Sequence, residues 1–227
     1  MDTDAMRVRD ALEQRKSVRA FLDRPVARET LMRLLDAARH APSGVNTQPW
    51  KVAVVTGAAK KRLQRKLEAA FRAGEKSRAS YVYYPSEWIT PYRERRKECA
   101  VLMYDAIGIT FGDRPRQLEQ WAKNYRAFDA PVMLLFLMDR IMGQGAFIDY
   151  GMFMQSLMLA AREEGVATCP QASLAEYPDI VTTELGYDDS MLVICGMALG
   201  YEKEDAAINN YRTPRMEVDA FTRFIDE

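Results

Sequence analysis

Residues 42–50 read Pro42-Ser43-Gly44-Val45-Asn46-Thr47-Gln48-Pro49-Trp50, and the apolar run Val52-Ala53-Val54-Val55 follows at once. A Pro-Ser-Gly turn cannot continue a helix and presents backbone N–H groups. Ser43, Asn46 and Gln48 add hydrogen-bond donors and acceptors without adding charge. These features suit a flat, hydrogen-bonding heterocycle held against backbone. They suit an ordinary helix-to-strand connection equally well, and the stretch alone leaves both readings open. Just upstream, Leu31, Leu34, Leu35 and Ala38 keep helical spacing, so a helix runs into the turn and stops there. Just downstream, residues 51–56 are β-branched and apolar and read as a buried strand.

Working outward, Val8, Ala11 and Leu12 lie on one helical stripe, and Arg15 falls on the same stripe. Leu63, Leu67, Ala70 and Phe71 mark a third helix. Residues 74–93 change character: Tyr81, Tyr83, Tyr84, Trp88 and Tyr92 sit among prolines and charges, which reads as an irregular aromatic excursion and a candidate lid. Helices resume through Leu102–Ala106 and through Leu118, Trp121, Ala122 and Tyr125. Residues 132–138 read as a buried strand. Asp149 is expected to cap a core helix from Tyr150 to Glu164 that ends at Gly165. Residues 166–169 are a short strand candidate, Pro178–Leu185 a short helix closed by Gly186, and Met191–Leu199 the last strand. After Gly200 the chain is polar, with few core candidates until Phe221 and Phe224, so residues 200–227 read as an arm that wraps a partner. No repeat, linker or second domain interrupts residues 1–227. Helices and strands mix without regular alternation, which places the chain in the α+β class as a single domain.

Composition removes several functions. The 227 residues are 48% hydrophobic and 28% charged, which reads as soluble and globular. Lys+Arg and Asp+Glu both number 32, a balance that argues against a nucleic-acid partner. No apolar run approaches a membrane span, so no membrane partner is expected. Met1-Asp2-Thr3-Asp4 has no signal-peptide character, and Cys99, Cys169 and Cys195 form no C-x-x-C pair, so neither a disulfide framework nor a metal site is expected and a cytoplasmic protein is. His40 is the lone histidine and sits before a turn, where capping or packing is the expected role. No nucleophile–base pair can be assembled from this chain.

The second informative element is Arg15-Lys16-Ser17-Val18-Arg19, three cations and a hydroxyl in five residues. Arginine offers bidentate bonds to phosphate oxygens and serine a neutral donor. A solvated helix C-terminus would also favour cations, through the helix dipole, and that alternative stands beside the anion site. The chain has no P-loop and no G-x-G-x-x-G fingerprint.

Taken together, R-K-S-V-R, a helix, then P-S-G-V-N-T-Q-P-W before a strand resembles the start of the nitroreductase family, FMN-dependent NAD(P)H oxidoreductases. Asp149-Tyr150-Gly151 with Gln155, Leu159-Ala160-Ala161 and Gly165 resembles that family's central helix, Cys169-Pro170-Gln171-Ala172-Ser173 its segment beside the flavin N5 edge, and Leu199-Gly200-Tyr201 with Arg212 and Arg215 its C-terminus. The resemblance covers nearly the whole chain except roughly residues 74–125. It implies a mixed central sheet flanked by helices, a homodimer with FMN at the subunit interface and a C-terminal arm wrapping the partner subunit.

It also implies roles. Arg15, Ser17 and Arg19 match positions that hold FMN phosphate and ribityl oxygens, with Lys16 contributing backbone. Pro42, Ser43 and Gly44 match the stretch along the isoalloxazine of their own subunit's flavin, Asn46 matches a residue reaching the neighbour's, and Gln48 assists. Pro170, Gln171, Ala172 and Ser173 match the segment near N5. Arg215, with Arg212 as the alternative, matches the arm's phosphate ligand. The flavin carries the chemistry, so no side chain is expected to be catalytic. Hydride from NADH or NADPH would pass in ping-pong fashion to nitroaromatics, quinones or related acceptors over an open ring face. Tyr83, Tyr84 and Trp88 are the candidate substrate contacts, with packing of neighbouring helices as their alternative role. Reductive dehalogenation, flavin fragmentation and a non-catalytic flavin-binding module are the competing readings.

Overall fold

The strand at residues 132–139 is aliphatic or aromatic on both faces, and both faces are covered by other elements. The computed structural model describes residues 6–226, so Met1–Asp4 and the last position of the expected domain lie outside the described residues. In chain order the helices are α1 (Val8–Gln14), α2 (Arg28–Ala38), α3 (Gly57–Arg72), α4 (Tyr92–Ala106), α5 (Arg114–Ala122), α6 (Gly145–Glu163) and α7 (Pro178–Leu185). The strands are β1 (Lys51–Thr56), β2 (Val132–Asp139), β3 (Ala167–Gln171) and β4 (Met191–Gly200).

Sheet order is β1-β2-β4-β3. All three pairings are antiparallel, from Lys51 opposite Leu137, Val132 opposite Leu199, and Ala167 opposite Gly200. The parallel component of the sheet is a single bridge between Ser17 and Thr168, tied by Val18 N–H donating to Thr168 O at 3.0 Å. That bridge lays residues 15–19 along β3. One sheet face packs on α2 and α6 through Leu34, Ala38, Phe136, Phe153 and Leu157. The other packs on α3, α7 and a 3₁₀ stretch at Lys123–Asp129 through Leu63, Leu67, Tyr125 and Val181.

Several expectations shift by physical necessity. α6 begins at Gly145, one turn before the expected Asp149 cap. Ala146 is buried, so packing extends the helix, and the buried Asp149 carboxylate accepts from Gly44 N–H at 3.2 Å instead of capping its own helix. The strand expected at 166–169 is displaced to Ala167–Gln171, because Val166 N–H closes the helix end on Ala161 O. Pro170 is tolerated because β3 is an edge strand. β1 is also an edge: only Val55 is buried, so this apolar strand is not the buried one expected. Tyr125 lies in the 3₁₀ stretch rather than on α5, and Ala127, Phe128 and Asp129 all take positive φ.

The most apolar exposed positions share a theme. Val8 is 70% and Leu12 48% exposed although they continue a helical stripe, and only Ala11 of α1 is buried. Phe221 and Phe224, the arm's expected core residues, are 65% and 81% exposed. The arm is anchored instead by Asn209, which sequence reasoning did not single out. Its amide donates to Ala20 O and Lys203 O and accepts from Arg19 N–H.

Gly196 connects the fold to the site. It lies in β4 opposite Gln171, and a Cβ there would come within 2.4 Å of Leu174 Cδ1 and 2.9 Å of Leu134 O. Leu174 belongs to the 3₁₀ turn Ala172–Ala175 that follows β3. Gly196→Ala is therefore expected to lower unfolding free energy by about 1–3 kcal/mol, measured by urea denaturation.

Among the described residues no helix is long and apolar enough to cross a membrane.

Candidate functional site

Arg15, Arg212 and Arg215 line one cavity of about 650 Å³, together with Ser17 and Arg19. None of the three forms an ion pair with a carboxylate among the described residues, whereas Lys16 is held by Glu202 at 2.6 Å. Burial first, then the charges of Arg215 and Arg212, pull the Arg15 guanidinium below its ordinary pKa. Glu13 also lines the cavity but pairs with none of the three, and a partly buried cation crowded by two others suits an anion.

The three arginines are held differently. Arg212 forks onto the carbonyls that end α1, donating to Gln14 O at 2.8 Å and Arg15 O at 3.0 Å. Those carbonyls lack helical partners, so the fork both caps the helix and fixes Arg15. Arg215 turns onto its own segment, donating to Thr213 and Pro214. The Arg15 side chain donates no hydrogen bond among the described residues. Arg19 donates to Tyr211 Oη at 2.8 Å and to Ser17 O at 3.2 Å. The Lys16 ammonium is committed to Glu202 and Asn209 O, so only its backbone faces the cavity.

The Ser17–Thr168 bridge brings this basic segment beside Cys169, Pro170, Gln171, Ala172 and Ser173. Burial raises the Cys169 thiol, against smaller opposing effects of Arg19, the Ser17 hydroxyl and Arg15. Gln171 donates to Asn124 O at 2.9 Å, but its Oε1 is buried without a partner, as is Ser173 Oγ. Orphaned buried polar atoms are uncommon in folded proteins and call for a ligand or solvent. Ala172, between them, lines a second, smaller cavity with Tyr81, Tyr83 and Tyr84. Tyr83 and Tyr84 meet edge to face at 4.6 Å, and Trp88 lies 5.7 Å from Tyr84. The aromatic excursion thus shares a cavity with the 3₁₀ turn that follows β3.

Residues 42–48 stand apart. The loop hangs from the N-terminal part of α6 through the Gly44–Asp149 bond, while α1 meets the other end of α6 through Arg162 and Gln14. Thirteen helical residues separate Asp149 from Arg162, about 20 Å at 1.5 Å per residue. Pro42, Gly44, Asn46 and Gln48 are exposed. Val45, Asn46 and Gln48 take positive φ, a conformation that costs a β-branched valine in particular. Ser43 Oγ accepts from Gln48 N–H at 3.0 Å and holds that shape. Within one chain, then, the basic cavity and the β3 end come together, and the Pro-Ser-Gly loop does not join them.

Sequence reasoning also missed Tyr211, which orients Arg19, and Glu176, which lines the tyrosine cavity. Both follow segments with no apolar periodicity, so no pattern marks them.

An antiparallel sheet between helical layers, with an uncompensated arginine cavity beside an edge strand, defines an anion-binding α+β protein. The chain belongs to the nitroreductase family, whose family model matches residues 12–201. It is 38% identical over 211 residues to a 4-nitrobenzoate reductase of Pseudomonas putida, covering 93% of this chain and 92% of that protein. It is 36% identical to a nitrobenzene nitroreductase of Ectopseudomonas oleovorans, covering 96% of each. Its structure superposes with a TM-score of 0.95 on a crystal structure of an FMN and NADPH-dependent nitroreductase, NfnB, from Sphigopyxis sp. strain HMH, at 38% identity over 98% of this chain and 100% of that one.

Proposed function

We propose that the chain is one protomer of a homodimeric, FMN-dependent reductase that oxidises NADPH and reduces nitroaromatic or quinone-like acceptors. The cavity of three arginines, none of them ion-paired to a carboxylate among the described residues, carries this reading. The terminal phosphate of FMN matches its charge. Arg15 and Arg215 would supply that charge, Arg212 would brace Arg15, and Ser17, Arg19 and the Lys16 backbone would hold the ribityl chain. Gln171 and Ser173, with their orphaned polar atoms, would meet the ring edge beside Pro170 and Ala172.

FMN, when bound, takes hydride from the nicotinamide and delivers electrons to the acceptor. The protein's part is to bind, to orient and to exclude water. The exposed, strained loop bearing Pro42, Ser43, Gly44, Asn46 and Gln48 is assigned as a whole to the partner's cofactor, including Pro42–Gly44, which the family resemblance places on their own subunit's flavin. Its separation of about 20 Å along α6 supports this. The exposed apolar residues of α1 and of the arm supply surface for the same partner. Tyr83, Tyr84 and Trp88 are the proposed acceptor contacts. NADPH rather than NADH, and nitroaromatics rather than halogenated amino acids or the flavin itself, follow from the relatives matched over nearly the full chain. Three free cysteines suit a reducing cytoplasm.

The purified protein is expected to be yellow, to release FMN on denaturation, and to oxidise NADPH when nitrobenzene, 4-nitrobenzoate or benzoquinone is supplied. Colourless protein that ignores added FMN would overturn the proposal.

A further inference from the structure

We propose that Glu176 sets acceptor specificity, favouring aromatic acceptors whose substituent is neutral or donates a hydrogen bond over those carrying a carboxylate. This rests on the reading of the site as an FMN-dependent reductase.

The pocket in question, about 170 Å³, is far smaller than the arginine cavity and adjoins the end of β3 through Ala172. It is lined by Tyr81, Tyr83 and Tyr84, by three alanines including Ala172 and Ala175, and by Ser77 and Glu176. Such walls suit one flat substituted ring. Glu176 is the sole ionisable group of the lining other than the tyrosines.

Glu176 is half-buried and has no lysine or arginine within ion-pairing distance among the described residues. Its Oε2 accepts from Tyr125 Oη at 2.7 Å, and Tyr125 is itself in the core. The remaining carboxylate oxygen has no partner among the described residues. Arg78, the nearest cation by sequence contact, donates its backbone N–H to Glu176 O, but its guanidinium is bound by Asp179 and Glu75. Burial raises the Glu176 carboxyl above its ordinary pKa, against a smaller opposing effect of the Tyr125 hydroxyl. The carboxyl is therefore an uncompensated acceptor at the edge of an apolar pocket.

Such a group discriminates in one direction. A ligand amide, amine or hydroxyl donates to the free oxygen and improves its satisfaction. A ligand carboxylate would be desolvated with no cation to meet it and would face a second acceptor. An isosteric pair isolates the effect: 4-nitrobenzamide and 4-nitrobenzoate differ at one position, in charge and in the ability to donate.

The test is equilibrium titration of the oxidised, FMN-loaded enzyme with each compound, read by quenching of flavin fluorescence. Wild type is expected to bind 4-nitrobenzamide ~10-fold or more tightly than 4-nitrobenzoate. Glu176→Gln should narrow that ratio to within about threefold, and Glu176→Asp should retain most of it. Equal affinity of wild type for the two compounds would overturn the proposal even if no variant folds, and so would an unchanged ratio in Glu176→Gln. NADPH-driven reduction of benzoquinone by wild type separates the two layers. A yellow, turning-over enzyme that shows no discrimination overturns the role of Glu176 alone. Protein that neither holds FMN nor turns over overturns both.

Discussion

A chain ending at Arg215 is expected to lose its dimer, with the dimer dissociation constant rising ~10³-fold or more, and to lose FMN with it. The removed segment carries Met216, Val218, Phe221, Phe224 and Ile225, all exposed in the single chain. Among the described residues after Arg215, the hydrogen bonds are local ones, Ala220 N–H to Glu217 O and Phe221 N–H to Val218 O. Deleting them removes no hydrogen bond to the rest of the fold, so the remaining chain should still unfold cooperatively, at a denaturant midpoint lowered by the lost association and cofactor binding. In the proposed dimer those side chains are buried, and each fully buried one contributes roughly 1.5–3 kcal/mol. Three suffice for the stated change. A cut after Gly200 is a poorer test, because it also removes Glu202 from Lys16, Tyr211 from Arg19 and the Asn209 anchor. Sedimentation equilibrium and flavin content of the Arg215-terminated chain decide the matter. A dimer of unchanged affinity with full flavin would refute the wrapping arm.

The same exposed side chains show where a sequence can be read and where it cannot. Apolar spacing located α2 and α3 and apolar runs located β2 and β4, because those faces are buried within the chain and a local pattern records that burial directly, while Pro178 and Gly186 bracketed α7. It also located α1 and β1, but not their surroundings. Val8, Leu12 and Val54 are as apolar as core residues and lie on the surface of the single chain. A hydrophobic pattern says that a face is to be covered and is silent on which molecule covers it.

The site divides in the same way. Arg15–Arg19 was legible as chemistry and Cys169–Ser173 through the family resemblance, and the Ser17–Thr168 bridge brings them together. Asp149 was read as a cap because of its type, yet it holds Gly44 across more than a hundred residues of sequence. Asn209, Tyr211 and Glu176 act through long-range contacts of single side chains, with no repeat or spacing to announce them. The left-handed conformation of Val45 runs against its residue type, and no propensity would have placed it there.

Arg15→Ala is expected to weaken FMN binding by roughly 10- to 150-fold, the value of one charge-assisted hydrogen bond of about 1.5–3 kcal/mol to a phosphate. The flavin-free protein should respond in a different way. Among the described residues Arg15 forms no side-chain hydrogen bond or ion pair, and it faces Arg212 and Arg215, so its removal relieves repulsion between like charges. The unfolding free energy of the flavin-free variant should therefore fall by no more than about 1 kcal/mol, the loss of a partly buried stem offset by that relief. Arg215→Ala should follow the same pattern, because its guanidinium bonds only to Thr213 and Pro214 of its own segment. Arg212→Ala should not: it releases the carbonyls of Gln14 and Arg15, so the flavin-free protein should lose about 1–2 kcal/mol as well as FMN affinity. Flavin titration and urea denaturation of the three variants, each without FMN, give both numbers. Unchanged FMN affinity in Arg15→Ala would remove Arg15 from the phosphate site. Equal stability losses in all three would show that the arginines serve the fold and not the anion.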